Sequence, residues 1–65
     1  MIVQFVDVGT GETVYECGMN VPPRKGDSVT IEVGVIRSYN VTHVCWELGA
    51  RGLAFVHVDI ECTKL

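Results

Sequence analysis

Apolar and polar residues alternate with a period of two along most of the chain, which predicts strands rather than helices. The clearest case is Ser28 to Val33, where Val29, Ile31 and Val33 point one way and Ser28, Thr30 and Glu32 the other. A first run, Met1 to Val8, is β-branched and aromatic, and the Asp7-Val8-Gly9-Thr10-Gly11-Glu12 stretch after it has turn chemistry. Thr13 to Cys17 reads as the return strand of that hairpin. Gly18 to Asp27 holds Pro22-Pro23 and Gly26-Asp27, so it predicts a loop entered in a polyproline-like conformation and left by a tight turn. Gly34 ends the third strand, a short connection passes Arg37, and Tyr39 to Leu48 is long enough for a major fourth strand. Gly49-Ala50-Arg51-Gly52 is a turn and Leu53 to Glu61 the last strand. No ten-residue segment has helical periodicity. The expectation is one all-β domain over 1–65, a five-stranded antiparallel meander rolled into a small, partly open barrel.

The last hairpin has a testable register. Ala54, Val56, Val58, Ile60 and Cys62 share a small or apolar face, opposite Leu53, Phe55, His57, Asp59 and Glu61. In the fourth strand Thr42, Val44, Trp46 and Leu48 oppose His43, Cys45 and Glu47. Pairing Val44 with Val56 and Trp46 with Ala54 joins the apolar faces and leaves a three-residue loop, whereas a one-residue slip would set His57 beside Val44. Tyr39 and Val41 are out of phase with Val44 and Trp46, which predicts a bulge near Thr42.

Composition adds constraints. At 65 residues the chain is near the lower limit for folding without staples, with a core worth ~3–5 kcal/mol. A hydrophobic content of 48%, rich in Val and Ile, excludes disorder and favours sheet. The net charge of -3 offers no field for a polyanion, and Arg24, Lys25, Arg37, Arg51 and Lys64 are scattered, so nucleic-acid binding is disfavoured. Nothing resembles an export signal or a membrane span. Three widely spaced cysteines, Cys17, Cys45 and Cys62, without a CxxC pair, suit free thiols in a reducing cytoplasm.

Candidate chemistry follows from the register. It gathers His43, Cys45 and His57 on the face opposite Trp46, with Asp59 one step along. Two imidazoles and a thiol in cross-strand reach are ligand types for zinc or copper, but they lack the compact spacing of structural zinc sites. Cys45 with a histidine and Asp59 satisfies the letter of a nucleophile, base and orienting acid. Neighbours two apart on a strand stand side by side rather than converge, and a chain this small has little room for a pocket. Gly9-Thr10-Gly11 has no helix after it to hold a phosphate, and the Asn40-Val41-Thr42 sequon lies inside a strand. A second apolar stripe of Leu53, Phe55 and Val41, with Tyr39 and His43, lies on the side a single-faced sheet leaves wet; it is either covered by curling or open to a partner. Met1 to Asp7, with few charges, is also a candidate edge strand for pairing with another chain.

The stretch Pro23-Arg24-Lys25-Gly26-Asp27-Ser28-Val29, followed by Tyr39-Asn40-Val41, Val44-Cys45-Trp46 and a Val-rich closing strand, resembles small barrels of the Src-homology-3-like type. Many short bacterial and phage proteins have that layout, in which a Pro-x-x-Gly-Asp turn launches a strand. The resemblance covers about the last two thirds of the chain and implies architecture rather than activity. The acidic loop and paired aromatic groove of peptide-binding members are missing, so polyproline recognition is not implied.

Together these point to a non-catalytic protein-interaction module, of phage or mobile-element type, that uses no cofactor. It is expected to bind a host or structural protein, or a second copy as a homodimer, through Tyr39, His43, Phe55 and His57. The alternatives are a metal or redox protein using His43, Cys45 and His57, and a barrel binding single-stranded nucleic acid.

Overall fold

A computed structural model describes residues 1–49, 51–52 and 54–63. Five strands form one sheet: β1 (Ile2–Asp7), β2 (Thr13–Gly18), β3 (Ser28–Val33), β4 (Val35–Leu48) and β5 (Ala54–Cys62). Their order is β2-β1-β5-β4-β3. The β1–β2, β3–β4 and β4–β5 neighbours are antiparallel hairpins, but β1 lies parallel to β5. The sheet is therefore mixed, and the all-antiparallel meander is corrected.

Five strands that alternate in direction leave the first and the fifth pointing the same way. Closing such a meander on itself thus creates a parallel first–fifth pair. Here that junction is formed and the β2–β3 junction is open, giving a curled half-barrel whose seam lies between the two edge strands. The Pro-containing connection 19–27 replaces a tight turn at that point and lets the edges separate. A shallow cleft of about 320 Å³ fills the seam between Thr13 and Val14 on one side and Ile31 and Val33 on the other.

β1 is thus interior, paired on both flanks, and is not the exposed edge the sequence suggests. Its inward side chains Val3 and Phe5 meet Val56 and Val58 of β5 across the parallel ladder. With Ile60, Val41, Tyr39 and Ile31 they make the core, in which Val3, Val56, Val58 and Ile60 expose no surface. Burying a Val or Ile side chain is worth about 1.5–3 kcal/mol, and the larger Phe5 and Tyr39 add to that hydrophobic term. Asp7 ends β1 and is buried; its carboxylate accepts from Gly9 N–H at 2.8 Å and its carbonyl from Gly11 N–H at 2.7 Å, folding the turn into β2.

β4 explains the elongated shape. Its first half pairs with β3 and its second with β5, overlapping only near Tyr39 and Asn40. The β3–β4 corner turns at Gly34, whose φ of 76° lies in the region that only glycine enters without strain. The fourth strand therefore begins at Val35 rather than at Tyr39, and residues 32–37 project as a two-stranded arm.

The β4–β5 ladder shifts between Val41 and His43, so the expected bulge at Thr42 is present. Thr42 Oγ1 donates to the Asp59 carbonyl at 3.3 Å. The bulge sets Tyr39 and Val41 on the same face as Val44 and Trp46. Tyr39 and Val41 are consequently core residues, not members of an outer stripe. The hairpin register differs by two from the expected one: Val44 faces Val58, Trp46 faces Val56 and Leu48 faces Ala54. A slip of two keeps every side chain on its face, so hydrophobic pattern alone does not resolve it. Trp46, expected in the core, is half-exposed because β3 stops short of it, and Cys62 is exposed at the end of β5. Leu53 lies outside the described residues.

Candidate functional site

The outer face of β1, β5 and β4 carries the residues with chemistry. Antiparallel pairing sets Cys45 opposite His57 and His43 opposite Asp59, while parallel pairing sets Gln4 beside His57 and Ile2 beside Phe55. The expected grouping of His43, Cys45, His57 and Asp59 on one face is thus present, in two rungs. His43 and Cys45 are exposed, and Phe55, His57 and Asp59 are half-buried. Tyr39 does not join them: at 4% exposure it lies beneath the sheet with the core.

Alternation on β5 puts Phe55 and His57 two residues apart on this face, with ring centroids 5.3 Å apart and planes tilted by 33°. Such an offset, tilted arrangement suits the quadrupoles of two rings. The far edge of the imidazole, Nε2, lies 3.4 Å from the Glu47 carboxylate, one rung along β4. Since Glu47 is largely exposed, that contact is worth ~0.2–1 kcal/mol at most and mainly orients the ring. On the other flank, Gln4 Nε2 donates to Glu16 at 2.8 Å, extending a polar border into β2.

The geometry does not concentrate these groups on a point. The His57 ring nitrogen is directed to Glu47, whereas Asp59, the candidate orienting acid, stands opposite His43 in the next rung. Among the described residues no three His, Cys, Asp or Glu side chains come together at metal-binding distances. What the arrangement offers is a strip of aromatic, imidazole and thiol groups with a carboxylate rim on the outer face of the sheet. The three cysteines are free, Cys17 half-buried on β2 and Cys45 and Cys62 exposed.

Two further surfaces escaped the sequence reading. Trp46 and Val44 floor a cleft of about 310 Å³ beneath Val21, Pro22, Pro23 and Lys25 of the 19–27 connection. The signal for it was the lone Trp at the end of a strand longer than its neighbour. The second surface is the arm, where Val33, Val35 and Ile36 are all more than half exposed. A turn flanked by aliphatic residues instead of polar ones was its legible sign. Among the described residues no helix is long and apolar enough to cross a membrane. Compared with protein-family profiles, curated proteins and solved structures, the chain gives no significant match in any of the three.

Proposed function

We propose that this chain is a non-catalytic protein-interaction module that binds a host or structural protein through the outer face of β1, β5 and β4. The observation that carries the reading is the solvent-facing Phe55–His57 ring pair, bordered by Ile2, Cys45 and exposed His43. Aromatic side chains set in a sheet lose little conformational entropy on contact and are common anchors of interfaces. Replacing Tyr39 of the expected set with Ile2 follows from burial of the tyrosine. The Pro23–Val29 and Tyr39–Trp46 layout supports kinship with Src-homology-3-like barrels of phage or mobile-element type, and three free thiols favour a reducing, cytoplasmic setting. A metal or nucleic-acid role has no comparable support, because among the described residues the side chains do not converge and no basic stripe runs along the sheet.

The experiment is site-specific photocrosslinking in the producing cell, with the reactive residue placed at position 43 or 57 and, as control, at position 30 on β3. The reading expects a discrete adduct from 43 and 57 and none from 30. Absence of adducts at 43 and 57, or equal labelling from 30, contradicts it.

A further inference from the structure

Charge is segregated between the two sides of the sheet. Of the acidic residues, Glu16, Glu32, Glu47, Asp59 and Glu61 stand on the outer face, and among the described residues no Arg or Lys stands with them. The described cations lie elsewhere. Arg24 and Lys25 line the cleft over Trp46, Arg37 lines the seam, and Arg51 belongs to the β4–β5 turn. Even with Lys64, which lies outside the described residues, counted against it, this face is more negative than the whole chain, whose net charge is -3.

The sheet does not compensate these charges from within. Oppositely charged residues facing each other across a ladder are stabilising, yet Asp59 faces His43, Glu61 faces Asn40 and Glu47 faces Phe55. Glu16 accepts only from the neutral amide of Gln4. Among the described residues the one ion contact is the exposed His57–Glu47 pair at 3.4 Å.

The acids surround the ring pair instead of lying apart from it. One rung holds Phe55 and Glu47, the next runs Glu16, Gln4, His57 and Cys45, and the third holds Asp59 and His43. Along β5, Phe55, His57, Asp59 and Glu61 follow at every second residue, about 7 Å apart. An extended chain laid along β5 has the same repeat. A guanidinium is planar, stacks on ring faces and donates in a fork to a carboxylate, so an Arg side chain over Phe55 would find both a ring and the Glu47 carboxylate.

We infer that the partner presents a basic, extended segment to this face, with an Arg stacked on the Phe55–His57 rings against Glu47 and further basic side chains on Asp59 and Glu61. The inference rests on the proposed role of the outer face and adds the chemistry of what that face binds. The same field repels nucleic acid and anionic lipid.

The test is a titration of the ¹⁵N-labelled chain, followed amide by amide by nuclear magnetic resonance. The probe is an end-blocked peptide of alternating Arg and Ser, with alternating Glu and Ser as control, each raised to about 1 mM. The Arg peptide is expected to shift the amides of His43, Cys45, His57 and Asp59 saturably, and more weakly as salt rises from about 0.02 to about 0.3 M. The Glu peptide should leave them in place. Combining Glu47→Gln, Asp59→Asn and Glu61→Gln should weaken the Arg peptide about tenfold while the spectrum keeps its dispersion. Should that variant unfold, Glu16→Gln with Glu47→Gln takes its place, with a loss of about threefold. The inference is overturned by no saturable shift, by shifts centred on Trp46 and residues 21–25, by undiminished affinity in the variant, or by equal binding of the Glu peptide. Photocrosslinking at 43 and 57 then separates the two readings: adducts there with a failed titration remove the basic partner and keep the face, whereas absent adducts remove both.

Discussion

Val3 and Val56 face each other across the parallel β1–β5 pair, and neither exposes any surface. The contact joins the first strand to the last and holds the sheet closed on that side.

Polarity at that contact should be costly even without a change of volume. Val56→Thr keeps the branched shape but buries a hydroxyl without a partner, a loss of about 1–3 kcal/mol. Val35→Thr, at 58% exposure, is the control and should shift stability by less than about 0.5 kcal/mol. Urea unfolding followed by Trp46 fluorescence distinguishes the two. Against a total of ~3–5 kcal/mol, the first variant should lose a large share of its folded range.

The bulge at Thr42 makes an unusual prediction about deletion. Removing Thr42 leaves Val41, His43 and Val44 in unbroken alternation, so every side chain keeps its face. A cooperative urea transition should survive. Inserting an alanine between Val44 and Cys45 instead reverses the faces of the rest of β4, and the transition should be lost. Both outcomes are read by circular dichroism during denaturation.

Gly26 supplies a third test. Residues Arg24 to Asp27 form a turn with a φ of 94° at Gly26, closed by Asp27 N–H to the Arg24 carbonyl at 3.0 Å and by Arg24 N–H to the Asp27 carboxylate at 2.8 Å. A positive φ at the third position is the mark of a type II turn. Gly26→Ala meets open space but must adopt that φ, so it should destabilise by about 1 kcal/mol or more. An unchanged urea midpoint contradicts the turn assignment.

Thiol reactivity tests the placement of the cysteines. With an aromatic disulfide reagent such as dithiobis(nitrobenzoate) on the native protein, Cys45 and Cys62 should react promptly and half-buried Cys17 more slowly. Denaturation should make all three equivalent. A fast Cys17 would mean that the β1–β2 edge is open.

The local grammar of the chain was legible, and the global closure was not. Alternation and turn residues identify five strands, the first and last hairpins, the Thr42 bulge and the inward face of β5, because each depends on neighbours a few residues apart. The parallel β1–β5 pair joins segments from the two ends of the chain, and no turn announces it. Tyr39 marks the limit of local pattern: its phase relative to Val44 signals a bulge near Thr42, but the pairing with β5 is what shows that the bulge returns Tyr39 and Val41 to the core face. The grouping of His43, Cys45 and His57 needed only the parity of a hairpin and survived a register error of two. The arm is less legible, because Val35 and Ile36 after Gly34 resemble a short connection in sequence, although the aliphatic residues on both sides of Gly34 suit paired strands up to the corner.

Closure of β1 onto β5 builds the outer face on which the proposed binding residues lie. Nuclear Overhauser measurements on the labelled protein test it most directly. The account predicts methyl contacts between Val3 and Val56 and between Phe5 and Val58, with no ladder of backbone contacts joining β2 to β3. A β2–β3 ladder, with β1 free of β5, would contradict it.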